Sequence, residues 1–489
     1  MELAAYVSCN TATLSPYVPS SGNPWNTSKV QHVFRRLGFG ANIMQIDDAL
    51  MLSPNDFIDD LVDTAFNLPP APAPFWAFYA VSDFTDFQTE NTQYINEWRI
   101  ETGNHLISEN LRGRMAIFWM NHFVTQLDTI NYAPYLFQYY NMLQVNALGN
   151  YKDFVRRVGI DNNMLLYLNG FENTNNEPNE NYARELYELF TLGEGNGYSQ
   201  NDITETARAL TGYNHWTEPG ADIYFDASTF DDTNKTIFGQ TGNWGYDDVI
   251  DILFDQRSTE IANHICAKLY RFFVSPDIDA MIQQDIITPL SQTLISNNFD
   301  MVPMLMQLFK SEHFFDERAF GVVIKSPLDV ILSFANEGSF FYNNFVMNAF
   351  VYYAGLMGQA VFDPPDVSGW QRDETWINSS TLTGRWEFME VYVTYLFENG
   401  YELSLTDLAK ELSNDSNDPE FITRVMVDHF VPKGLNTATD YDIATDILKW
   451  EVPQNYYDNG FWNLDWDSAP YQCLLLLVHI CRMPEFHLK

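Results

Sequence analysis

Apolar positions three and four apart recur along this chain in segments of twelve to eighteen residues, each closed by Gly, Asn or Pro. Alternating runs of β-branched residues are scarce. Most of the chain can therefore bury one stripe of a helix, and little of it one face of a strand. The expected fold class is mainly α: a large multi-helix domain with a small β-hairpin insertion and long irregular loops. The hairpin is expected at about 221–240, where residues 223–225 and 236–238 flank a polar turn. That turn carries Asp226, Asp231, Asp232 and Asn234, whose oxygens suit either calcium or plain solvation, without the spacing of a calcium loop.

Composition bounds the partners. With 489 residues, 46% of them hydrophobic and 16% aromatic, the chain can bury a large core. Its 65 acidic and 26 basic residues give a net charge of -39, a field that repels nucleic acid and anionic membrane surfaces. Cys9, Cys266, Cys473 and Cys481 are too scattered for a disulfide framework, and the last two read as buried thiols. No segment is apolar for eighteen residues, so no transmembrane segment is expected. Residues 469–482 are apolar on nearly all sides and read as a central packing helix. Residues 1–27 are expected to be an extended Pro/Ser/Asn lead-in, and residues 1–9 lack the pattern of a leader. Residues 28–489 then form the helical domain, with a Trp-rich loop at about 361–380.

Chemistry-bearing residues concentrate in residues 176–212. Asn179 can cap a helix with Tyr182, Leu186, Leu189 and Phe190 inward, and Gly193 stops it. Its other faces carry Glu180, Arg184 and Glu188 at steps of four, with Glu185 beside them. Ser199 and Asp202 make a capping box for a second helix bearing Glu205 and Arg208. Elsewhere His122 shares helical spacing with Met115, Phe118 and Trp119, which fits a hydrogen-bonded core histidine or a ligand or base. His264, Lys268 and Arg271 lie on one side of a helix; they can pair with the glutamates of 180–188 or receive an anionic ligand. In the Trp-rich loop, Trp370, Trp376 and Asn378 offer stacking and amide contacts to a carbohydrate or peptide, or anchor the loop.

Several of these stretches resemble one family. They are Arg35 to Gly40, Phe118 to Phe123, Pro178 to Gly193, Ala207 to Gly212, Phe238 to Trp244 and Val361 to Trp370. Together they resemble DUF1800, a large bacterial family without an assigned function, over about residues 28–486. The family pattern places a histidine where this chain has Met120, which weakens any joint metal role for two histidines there. The resemblance implies export and work in the cell envelope.

Two functional readings follow. In the first, an extracytoplasmic enzyme acts on a polymeric or anionic substrate with His122, Glu180, Arg184, Glu185, Glu188, Glu205 and Arg208 as its catalytic set. Lys268, Arg271, Trp370, Trp376 and Asn378 then bind substrate, and Glu180, Glu188 and His122 can share a divalent metal ion as cofactor. In the second, the Glu/Arg helices are a structural ion-pair network and the Trp-rich loops recognise an envelope protein or glycan. No nucleophile motif decides between them.

Overall fold

The computed structural model describes residues 13–489; Cys9 and residues 1–9, with the expectation about a leader, lie outside the described residues. Part of the expected lead-in wraps the body, with Tyr17 buried and its backbone N–H donating to Lys310 O at 2.8 Å. Helices then dominate, as the periodicity requires.

Helix α1, Thr27–Leu37, is capped by the Asn26 side chain and buries Val30, Val33, Phe34 and Leu37 on its expected stripe. It also buries Arg35, whose Nε meets Glu337 Oε1 at 2.6 Å. Gly40 follows with a φ of +70°, and a Cβ there would stand 2.5 Å from Glu337 Cγ. Glycine is needed at that position for both reasons.

Helix α2, Leu111–His122, is buried on almost every side. Trp119 fixes its C-terminal half, stacking on Phe123 and Tyr151 while its Nε1 donates to Ala147 O at 2.8 Å. Such aromatic pairs are worth about 0.5–1.5 kcal/mol each beyond their burial. Earlier on α2, Arg114 lies over the Phe39 ring and donates to Gly38 O and Asp329. Lys489 Nζ takes the other oxygen of Asp329 at 2.6 Å.

The insertion is the strand-bearing part of the described residues, but its pairing differs from the expected hairpin. Strand β1, Tyr213–Asn214, pairs with β2, Tyr224–Phe225; β3, Lys235–Ile237, pairs with β4, Gln240–Gly242. Residues 223–225 and 236–238 therefore do not face each other. Asp226 N donates to Gly212 O, and the Gly239 turn with φ +79° closes the second pair, so each segment finds a nearer partner.

The last long helix, Ala469–Arg482, coincides with the expected central one and packs against Ser379–Glu398, Leu403–Ser413 and Ala438–Leu448. Among the described residues no helix is long and apolar enough to cross a membrane. Residues 358–378 form the irregular loop, with one 3-10 turn at Asp373–Trp376, before Asn378 caps the helix Ser379–Glu398.

Candidate functional site

The charged helices form a brace. Helix α3, Asn181–Glu185, begins where Asn179 Oδ1 accepts from Asn181 N, and it runs directly into a π turn, Leu186–Thr191. Glu180 accepts from Thr204 Oγ1 at 2.7 Å, Gln200 Nε2 at 2.8 Å and Arg184 Nη2 at 3.1 Å. The Thr204 hydrogen bond foremost, with those from Gln200 and Arg184, holds its carboxyl below the usual range. Glu188 lies 3.4 Å from the other side of Arg184. On helix α4, Gln200–Ala209, the expected Ser199–Asp202 capping box is formed. Glu205 there takes Arg208 at 2.7 Å and Thr236 N at 2.8 Å, while Arg208 also reaches Asp231 at 2.8 Å. These contacts clamp β3 to α4. Glu185 differs: burial first, then Glu188, raises its pKa.

The π turn leaves carbonyls without helical donors, and they point to a different set of side chains. Phe190 O accepts from Tyr151 Oη and from His122 Nε2, the latter at 3.2 Å. Leu189 O lies 3.3 Å from Lys268 Nζ and 3.4 Å from His264 Nε2, both on helix α5, Ser258–Phe273. Gly193 ends the turn at φ +93°, where a Cβ would be 2.9 Å from His264 Nδ1. Gly193 is thus required by the close approach of α5 as well as by its backbone.

Beyond Lys268 a cavity of about 120 Å³ opens between α2, α5 and the Trp-rich loop. Lys268, Arg271 and Arg372 line it together with His122, Asn121 and Gln359. Trp370 and Trp376 form buried parts of its wall. The loop is seated by Gly369, with φ +94° and Asn121 Oδ1 2.2 Å from where a Cβ would stand. Asn121 Oδ1 also accepts from Trp370 N at 2.5 Å, and Trp370 Nε1 donates to Ala360 O at 3.2 Å.

Three of the cations at this cavity make no ion pair among the described residues. Among the described residues no carboxylate lies within salt-bridge distance of Lys268, Arg271 or Arg372. Asp329 also lines the cavity but is taken by Arg114 and Lys489. Asp373 neighbours Arg372 without pairing to it, and burial raises its pKa. Burial, followed by the nearby Arg372 and Arg271, pushes the Lys268 ammonium down to about 7. Burial first and Lys268 second hold His122 well below the ordinary imidazole range, so the ring is neutral. With Nε2 directed to Phe190 O and Tyr151 Oη, the buried Nδ1 has no hydrogen-bond partner among the described residues.

The structure thus brings together His122, Lys268, Arg271, Trp370 and Trp376 from the sequence-derived set. None of Glu180, Arg184, Glu185, Glu188, Glu205 and Arg208 lines the cavity, and Asn378 serves as a helix cap. Lys268 and Arg271 make no ion pair with the glutamates of 180–188. His122, Glu180 and Glu188 do not converge: among the described residues no three His, Cys, Asp or Glu side chains are grouped to hold a metal ion. In the acidic turn, Asp226 pairs with His215 at 2.7 Å and Asp231 with Arg208. Arg372 and Asn121 are the site residues that sequence reasoning missed. The signal for both was their place inside the two motifs already singled out, one residue from His122 and two from Trp370.

Four of the stretches singled out in the sequence meet here: the end of α2, the π turn, the face of α5 and the Gly369–Trp370 loop. No curated protein and no solved structure matches the chain. The family described as "Protein of unknown function (DUF1800)" matches residues 32–488, and the chain belongs to that family.

Proposed function

We propose that this protein binds a compact anionic group, a phosphate, sulfate or carboxylate, in the cavity lined by Lys268, Arg271 and Arg372. The observation that carries the reading is the charge arrangement. In a chain with 65 acidic and 26 basic residues, three of the five cations that line one cavity have no ion-pair partner among the described residues. Clustering like charges costs free energy that a bound anion offsets. Two guanidinium forks match the oxygen geometry of such an anion. A volume of about 120 Å³ admits a small molecule or one end of a larger one, being somewhat below the ~150 Å³ cavity that takes benzene. An enzyme on an anionic substrate in the cell envelope, where the family resemblance implies that the protein works, is one use of this site; the Glu/Arg helices support it by holding the π turn.

Calorimetric titration with sulfate and phosphate tests the reading. Wild-type protein is expected to bind one anion per chain, and Arg271→Gln and Arg372→Gln each to weaken it by roughly 10- to 100-fold, the value of one charge-assisted contact. Equal affinity in wild type and both folded variants, or no binding in wild type, rejects the site.

A further inference from the structure

Anion binding alone does not explain why one of the three cations at this cavity without an ion-pair partner among the described residues is a lysine. Arg271 is exposed and Arg372 stands at the mouth, where both can grip an anion and keep their hydration. Lys268 is set deeper, on the same helical face as Arg271, and its only hydrogen-bond partner among the described residues is Leu189 O at 3.3 Å. For charge pairing this placement is poor, because the ammonium is the more strongly hydrated head and gains least from a dry site. For a nucleophilic amine it is favourable: two neighbouring cations and an apolar wall of Phe118 and Trp370 favour the uncharged form. The same cavity is lined by His122, whose buried Nδ1 lacks a hydrogen-bond partner among the described residues and can take a proton from the attacking nitrogen and pass it on to the departing oxygen.

Resting on the anion-site reading, we infer that Lys268 forms an imine with a small 2-oxo acid, whose carboxylate is held by Arg271 and Arg372. The amine nitrogen attacks the carbonyl carbon, a C–N bond forms, and the carbonyl π pair becomes a hydroxyl on the resulting carbinolamine. The C–O bond then breaks. The oxygen leaves as water with the two protons that began on the amine, so nothing is oxidised or reduced. His122 Nδ1 is a relay for one of those protons. The cavity of about 120 Å³ limits the substrate to a few carbons.

Whole protein is incubated with pyruvate at about pH 8 and reduced with borohydride, which turns any imine into a stable secondary amine. At that pH Lys268, near 7, is mostly free amine, and Lys489, lowered to the same range, is held by its ion pair with Asp329 at 2.6 Å. Peptide mapping is expected to place the adduct on Lys268, with excess sulfate suppressing it and acetone, which lacks the carboxylate, giving roughly tenfold less. Lys268→Arg is expected to lose the adduct while its urea midpoint stays that of a folded protein, and an adduct of undiminished yield in that variant overturns the imine. Sulfate binding in wild type without a Lys268 adduct overturns the imine and leaves the anion site standing. An adduct spread over exposed lysines overturns it as well. Absence of both adduct and sulfate binding overturns both readings.

Discussion

Asp161 carries a proton that most carboxyls would have lost. Its side chain caps the helix Asn162–Tyr167, accepting from Asn163 N at 2.9 Å, and burial pushes its pKa up to about 7 against that hydrogen bond. Because the folded value lies above the unfolded one, the folded state binds more protons between about pH 4 and pH 7. The stability this group contributes is full below pH 4 and is lost as pH rises to 7. Asp161→Asn keeps an acceptor for the cap and removes the buried charge. It is expected to flatten that part of the stability profile and to be more stable at pH 8 by about 1–2 kcal/mol, the side chain's partial solvent access trimming the full effect. Denaturant midpoints at pH 4 and pH 8 check this, and a variant whose profile parallels wild type contradicts it. His122 shows what was legible at this scale. Helical spacing placed it inside with Phe118 and Trp119, where the structure puts it. That its Nε2 would meet Phe190 O depends on a contact 68 residues away in sequence, which spacing does not encode.

Among elements, the Gly369 loop and the π turn do the positioning. Gly369→Ala combines an unfavourable backbone conformation with a clash against Asn121, so a loss of about 2–4 kcal/mol is expected. Since Trp370 and Arg372 ride on that loop, sulfate affinity should fall with it. Urea unfolding and a sulfate titration on the same variant separate the two effects, and unchanged values for both contradict the seat assigned to the loop. The helices were legible because each buries one stripe, and caps such as Ser199–Asp202 mark their starts. The π turn was not: one extra residue per turn over Leu186–Thr191 leaves Leu186 and Phe190 inward, so the apolar pattern looks α-helical throughout. Strand pairing was misread for a related reason. Segments of two or three residues carry too little alternation to fix a partner, and backbone contacts with Gly212 and the Gly239 turn decided it.

For the whole molecule, two charge systems of opposite kind lie side by side. One is satisfied: Arg114, Asp329 and Lys489 join α2, the helix Pro327–Glu337 and residue 489. Burial opposes the charge on Asp329, but Arg114 and Lys489 hold its carboxyl far below the usual range. Asp329→Asn leaves both cations buried without a counter-charge and is expected to cost about 3–5 kcal/mol in urea unfolding. A loss under about 1 kcal/mol contradicts that network's role. The other system, Lys268, Arg271 and Arg372, has no carboxylate within ion-pair distance among the described residues. The net charge of -39 gave no hint of it, since composition averages over a local excess of cations. Anomalous diffraction from crystals soaked in selenate locates an anion directly. The account predicts one strong selenium peak within hydrogen-bond distance of the Lys268, Arg271 and Arg372 nitrogens, absent in the Arg271→Gln, Arg372→Gln double variant. A map with that cavity empty, or with selenate only at scattered surface lysines, contradicts it.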